Sequence, residues 1–252
     1  MQTVKLILEY DGTDFNGWQI QDKKSRTVQD VLEKALKIIF KKKIRVYGSG
    51  RTDSGVHAKG QVAHFHAVTS HKAETIRNAL NANLPEDVSV LDASFADSRF
   101  HAQYSAKRKS YRYTILNRSA RTALERKLCL HYPHKMNLRR LKKESRLLVG
   151  RHDFRSFTAS GSETGPRRGE KLSTIRTVYR LDITRKKDHL FFDIEADGFL
   201  YKMVRNIVGT LLESASGRRP EGEVARILKA KNRTRAGITA PACGLCLMRV
   251  DY

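Results

Sequence analysis

The strongest constraint on how this chain folds is the order in which its hydrophobic periods change between Val4 and Phe95. Residues 4–10 alternate loosely and are rich in branched and aromatic side chains, the pattern of a strand, and Asp11-Gly12 ends them with a turn signal. Thr27-Val-Gln-Asp30 resembles a helix N-terminal box with Asp in place of Glu or Gln. It opens a helix whose apolar face is Val31, Leu32, Ala35, Leu36 and Ile39. Residues 44–47 and 61–66 read as strands, 74–84 as a helix stopped by Pro85, and 88–95 as a strand. This order suits an α+β fold with helices on one face of a mainly antiparallel sheet.

The rest of the chain repeats that logic less clearly. Residues 105–116 read as a long strand and 138–149 as a helix. Residues 174–184 and 190–196 read as a hairpin turning at Lys186-Lys-Asp188. Helices follow at 200–214 and 221–230, and a last strand at 245–250. The expected organisation is an N-terminal half, residues 1–104, and a C-terminal half, residues 105–252. One aperiodic, polar loop within the second half, 158–172, breaks this order; it holds three glycines and the pair Arg167-Arg168. Ordering by RNA and plain disorder both fit such a loop.

Charge narrows the partners. Lys and Arg number 49 against 26 Asp and Glu, a net +23, and residues 104–185 hold 22 of the cations against 6 of the anions. Such an excess repels itself unless a polyanion is a normal partner, and nucleic acid is the usual one. No apolar run is long enough to span a bilayer and no secretory pattern opens the sequence, which points to the cytoplasm. Cys129, Cys243 and Cys246 are too few and too unevenly placed for a disulfide framework. Cys243-Gly-Leu-Cys246 has the spacing of half a zinc site, but with no second pair it reads as part of a strand with small buried thiols.

The stretch densest in chemistry is Gly48-Ser-Gly-Arg-Thr-Asp-Ser-Gly-Val-His57. Its glycines suit a tight loop, and its spacing fails both phosphate-loop fingerprints. Arg51 stands two residues before Asp53, and a guanidinium beside that carboxylate would hold it ionised, ready to act as nucleophile or base. A loop-stabilising aspartate bonding its own backbone is the plainer alternative. His57, His64 and His66 suggest buried, hydrogen-bonded rings rather than a metal site. Lys107-Arg-Lys-Ser-Tyr-Arg-Tyr113 interleaves cations with aromatics on a strand, Tyr111 and Tyr113 on one face and Arg112 on the other. Cross-strand packing and stacking on an extruded base both suit these tyrosines. Arg205 interrupts an apolar helix and needs a partner if buried, a role Asp53 would fill.

Taken together these segments resemble the tRNA pseudouridine synthase A family. The match runs through residues 10–19 (Tyr-Asp-Gly-Thr-Asp-Phe-Asn-Gly-Trp-Gln), 50–57, 60–65, 100–106 with 111–113, 152–157, 203–209 and 240–245, in the family's order and over nearly the whole chain. The resemblance implies two ferredoxin-like α+β halves forming a continuous mixed, mainly antiparallel sheet with a positively charged central cleft. It implies isomerisation of uridine to pseudouridine at positions 38 to 40 of the tRNA anticodon arm, by a homodimer that needs no metal or other cofactor. By the same match Asp53 is the essential aspartate and Arg51 helps displace the target base. Tyr111 is the active-site tyrosine, and Arg205 pairs with the aspartate. The basic run Lys107, Arg108 and Lys109 is expected to help hold the RNA. One departure stands out: Gln103 occupies a position where the family usually has Arg, which removes one possible RNA contact. Two rival readings remain: a sister synthase acting on other RNA sites, and a non-catalytic RNA-binding protein on the same fold.

Overall fold

In a computed structural model, residues 1–21, 25–159 and 173–252 are described. The strands, in chain order, are β1 (Gln2–Tyr10), β2 (Tyr47–Gly48), β3 (His57–Ala67), β4 (Val88–Ala96), β5 (Arg108–Leu116), β6 (Leu130–His131), β7 (Gly150–Asp153), β8 (Ile175–Lys186), β9 (His189–Ala196) and β10 (Leu245–Asp251). The helices are α1 (Val28–Phe40), α2 (Ala73–Asn83), α3 (Leu138–Arg146), α4 (Met203–Ala215) and α5 (Glu223–Ala230). The fold is therefore α+β, with mixed and mainly antiparallel strands. The chain forms two compact units: Met1–Lys107 with Cys246–Tyr252, and Arg108–Leu245.

In the first unit the strand order is β4-β1-β3-β10, with β2 against β3. β1 is antiparallel to β3 with Val4 opposite Phe65 and Leu6 opposite Ala63, whereas β10 runs parallel to β3 with Cys246 opposite His57. The alternation read in β1 is real: Val4, Leu6 and Leu8 are fully buried. Thr27 caps α1 by accepting the Asp30 N–H at 3.3 Å, which satisfies one of the orphan donors of the first turn. The buried face of α1 is Val28, Leu32, Ala35 and Leu36, while Val31 and Ile39 lie at its half-buried border. α2 stops at Asn83 because Leu84, the residue before Pro85, is extended. Each fully buried Leu or Phe of this core, such as Leu32 or Phe65, contributes roughly 1.5–3 kcal/mol.

One expected strand is largely missing. Residues 44–46 are not in a strand, and β2 is only Tyr47–Gly48. Ile44 and Val46 are buried, but side chains of α1 take the bonds a sheet would have offered. Gln29 Nε2 donates to the Val46 carbonyl at 3.0 Å, and the Val46 N–H donates to Glu33 Oε1 at 3.1 Å.

In the second unit the strand order is β5-β9-β8-β7, with β6 parallel to β5. Its fully buried core includes Tyr113, Phe154, Phe157, Phe192, Ile207 and Leu211. Three helices are shorter than their hydrophobic periods suggest, among them α5, which begins at Glu223 after Gly222 at φ 79°. α3 ends at Arg146, since the N–H groups of Leu147, Leu148 and Val149 bond three residues back rather than four. α4 begins at Met203, because Lys202 is left-handed at φ 59°. The β8–β9 hairpin turns at Lys187-Asp188, with Lys187 at φ 53°. The loop expected at 158–172 falls mostly outside the described residues.

Candidate active site

In the first unit the glycine loop is braced from several sides. The Trp18 N–H donates to the Thr52 carbonyl at 3.1 Å, and the Gly55 N–H donates to the Phe15 carbonyl at 3.2 Å. Ser54 Oγ donates to that same carbonyl at 3.2 Å. The Val56 N–H closes the turn on the Asp53 carbonyl at 3.2 Å. The bracing segment comes too close for side chains: a Cβ on Gly17 would stand 2.6 Å from the Thr52 carbonyl oxygen, and one on Gly12 would stand 2.0 Å from that of Val56. Both glycines are thus required by close backbone approach.

Beneath the loop lies a buried polar cluster. Tyr10 OH and Thr52 Oγ1 share a hydrogen bond of 2.9 Å. Ser49 Oγ donates to Gln61 Oε1 at 2.6 Å, and Gln61 Nε2 donates to the Gly50 carbonyl at 3.0 Å. Burial pushes the Tyr10 phenol well above its usual range, so it stays neutral. The cluster anchors Gly50 and Thr52 on both sides of Arg51, and Thr52 directly precedes Asp53. Arg51 is left exposed and Asp53 half-buried. A fixed backbone with a partly accessible carboxylate is the geometry a positioned nucleophile or base needs.

The histidines nearby are structural. His64 Nδ1 accepts the Ala102 N–H at 3.1 Å, and the His64 and His66 rings meet edge to face at 5.2 Å. Gln103 is exposed, and its N–H donates to His101 Nδ1 at 3.2 Å. Lys107 ends this stretch with its N–H on the Asp251 carbonyl.

In the second unit Tyr111 and Tyr113 are buried on one face of β5, and Arg112 turns to the other. Arg112 grips Asp193 with two bonds of 2.7 and 3.0 Å, a bidentate, charge-assisted pair. The Tyr111 ring meets Phe199 edge to face at 5.1 Å, and Tyr113 OH donates to the Pro241 carbonyl at 2.7 Å. Gly244 fits under the Tyr113 ring, where a Cβ would lie 2.6 Å from a ring carbon. Arg108 bonds Glu195 Oε1 at 3.2 Å and covers the Tyr179 ring at 4.5 Å. Lys109 lies on the Tyr111 face, and burial together with the Arg176 guanidinium pushes its ammonium down to about 8.

Arg205 is in the first turn of α4 and half-buried. Its Nε donates to the Ala240 carbonyl at 2.7 Å, and the Ala240 N–H returns a bond to the Arg205 carbonyl at 3.1 Å. Next to it Asn206 bonds through both ends of its amide. Its Nδ2 donates to the Phe157 carbonyl at 2.7 Å, while Oδ1 accepts from Thr239 Oγ1 and Arg233 Nη2. These bonds tie residues 152–157, 203–209 and 240–245, three separated motifs, into one framework. The cysteine spacing dissolves here: Cys243 Sγ lies 3.5 Å from the Cys129 carbonyl, while Cys246 belongs to β10 opposite His57. Burial pushes the Cys129 thiol up to about 11 and the Cys243 thiol up as well, the mark of unreactive thiols.

The class these parts define is an α+β enzyme that works on RNA. The chain belongs to the tRNA pseudouridine synthase family, whose sequence profile matches residues 6–105 and 145–252. It is 48% identical to the tRNA pseudouridine synthase A of Thermoanaerobacter sp. (strain X514) over 252 residues, covering 100% of both chains. It is 45% identical to the protein of that name from Bacillus subtilis (strain 168), covering 99% of this chain and 98% of that one. With the one from Acetivibrio thermocellus the identity is 41%, again over 100% of both chains.

Proposed function

We propose that the protein isomerises uridine to pseudouridine at positions 38 to 40 of the tRNA anticodon stem-loop, with Asp53 as the catalytic carboxylate. The roles of the other residues follow the family resemblance. Tyr111 stacks on the uracil and relays a proton, and Arg51 fills the space the displaced base leaves. Arg205 matches the arginine that pairs with the aspartate in that family. Lys107, Arg108 and Lys109 contribute to RNA binding, and no metal or other cofactor takes part. The reaction breaks the N1–C1′ bond, turns the uracil and joins C5 to C1′. It therefore needs an ionised, positioned carboxylate and a base drawn out of the stack, which costs a few kcal/mol.

Family membership over the full chain supports the activity. The observation that carries the assignment of Asp53 is its loop, held by backbone bonds from residues 15–18 and by the Tyr10, Thr52, Ser49 and Gln61 cluster. So much bracing around one half-buried carboxylate exceeds what a surface turn requires.

The test is release of tritium from tRNA labelled at uridine C5, since the new C5–C1′ bond expels that hydrogen. Asp53→Asn is expected to abolish release while leaving tRNA affinity within a few fold. Release by the variant would sink the assignment.

Among the described residues no helix is long and apolar enough to cross a membrane. The enzyme is proposed to work in the cytoplasm as a homodimer. Light scattering at micromolar concentration is expected to give twice the chain mass, and a monomer mass would overturn that expectation.

A further inference from the structure

The register of the second unit puts two cations on the face of the sheet that carries Tyr111. Lys109 on β5 is opposite Ala196 on β9, and Ala196 is opposite Val178 on β8. Paired residues share a face and residues two apart on a strand return to it. Lys109, Tyr111, Ala196, Val178 and Arg176 therefore lie on the same side. Deeper along this face everything is apolar and buried: Tyr113, Phe192, Ile194, Leu181 and Val178. At its end Lys109, Arg176, Gly198 and Phe199 are only half-buried, so solvent reaches them.

Between the two cations β9 and its continuation offer only small residues, Ala196 and Gly198. A Cβ on Gly198 would lie 3.6 Å from Arg176 Nε, so the guanidinium lies alongside bare backbone. On the far side Arg176 is opposite His152 of β7. Arg176 Nη1 is anchored on the carbonyls of Ser173 at 2.8 Å and Ile175 at 2.6 Å. Asp197, whose Oδ1 accepts the Thr177 N–H at 3.0 Å, draws the guanidinium electrostatically from the side. Phe199 bounds the opposite edge through its contact with Tyr111.

Two cations on one face, close enough to act on each other, over a floor of small residues at the open end of an apolar face, make a receptor for a compact anion. We infer that Lys109 and Arg176 cradle one phosphodiester of the RNA, adjacent to the nucleotide held at Tyr111. The inference rests on the proposed reading of Tyr111 as a base-stacking residue. It adds Arg176, and a chemical class of ligand, to that site. Burial depresses both cations in the free protein, and the Arg176 guanidinium depresses Lys109 further; a bound phosphate offsets that charge. Such a contact positions the RNA without reading its sequence.

The experiment uses tRNA assembled by ligation, with a neutral methylphosphonate in place of the phosphodiester on one side of the target uridine, then on the other. Wild type is expected to bind one of these two RNAs about tenfold more weakly than all-phosphate tRNA. Arg176→Gln is expected to bind all-phosphate tRNA about tenfold more weakly than wild type, with a log–log salt slope smaller by about 1. It should also lose the extra penalty for the methylphosphonate, and Arg176→Lys should regain part of that penalty. The cradle is refuted if Arg176→Gln keeps the full methylphosphonate penalty, or if it binds all-phosphate tRNA as wild type does. Should Arg176→Gln fail to fold by circular dichroism, Lys109→Met carries the same comparison with the same two outcomes. Binding is read without turnover, so a protein that releases no tritium still passes or fails this test separately.

Discussion

His64 shows how a single side chain in this protein is tuned by its surroundings. It is 1% exposed, accepts the Ala102 N–H and stacks against Tyr47 at 5.1 Å. His101 and Phe100 meet its ring edge to face. Burial first, then the neighbouring His101 and His66, push its pKa down to about 4, and only a backbone bond from Tyr47 opposes them. The folded state therefore disfavours the proton that the unfolded chain accepts near 6.5. Stability is full above about 6.5, is lost as pH falls below that value, and stops changing below about 4. The expected loss from this residue between pH 7.5 and pH 5 is about 2 kcal/mol. Urea midpoints at the two pH values read it, and His64→Gln should flatten the difference. An unchanged pH difference in that variant would show that His64 is not the source. The histidine pair was legible in the sequence as buried and hydrogen-bonded. That the ring holds the 101–104 turn was not, because the Ala102 N–H comes from a segment 38 residues away.

At the scale of elements, α4 and the segment 236–241 position Arg205 together. Gly209 lies so close to that segment that a Cβ would stand 1.8 Å from the Ile238 carbonyl oxygen and 3.3 Å from the Ala240 nitrogen. Gly209→Ala must push the segment off the helix and take the Ala240 carbonyl away from Arg205 Nε. Overpacking of this kind costs roughly 1–3 kcal/mol. The expected result is a melting midpoint lower by several degrees together with a loss of tritium release larger than the fraction unfolded explains. A variant with wild-type midpoint and wild-type rate would mean that the segment does not hold Arg205 in place.

Element by element, what could be read from the sequence divides along physical lines. β1, β4, α1, α2 and β9 carry their own periodicity, since one face of each is buried and the other is not. Residues 44–46 look like a strand because apolar Ile44 and Val46 flank Arg45, yet Gln29 and Glu33 take the backbone bonds of Val46. β8 was legible as a strand, but which of its residues face the core was not. A bulge between Val178 and Arg180 switches the buried set from Val178 to Leu181 and Ile183, so no single period of two runs through the strand. Arg176 was invisible as a candidate for that reason: on the N-terminal side of the bulge it shares the face of Val178. The site motifs were legible as motifs, but their glycines gained a reason only when Gly12, Gly17, Gly209 and Gly244 met their neighbours.

For the molecule as a whole the governing quantity is the net charge of +23. Most ion pairs among the described residues have at least one exposed partner, and in Lys143–Glu221 at 2.7 Å and Arg99–Asp97 at 3.3 Å both are exposed. Exposed pairs of this kind contribute about 0–1 kcal/mol each, so they do not account for the excess of cations. A chain that tolerates this self-repulsion is paired in use with a polyanion. Each cation that neutralises a phosphate releases a condensed counterion, which makes the affinity a steep function of salt. With on the order of six phosphate contacts, tRNA affinity is expected to fall by about a thousandfold between 50 and 200 mM monovalent salt. Unlabelled filter binding across that range measures it. The same charge acts on the fold in the opposite sense: added salt screens the repulsion among like charges, so the melting midpoint of the free protein should hold or rise over the interval in which tRNA binding collapses. A midpoint that fell in parallel with affinity would assign the cations to internal pairing instead, and the polyanion argument would lose its basis.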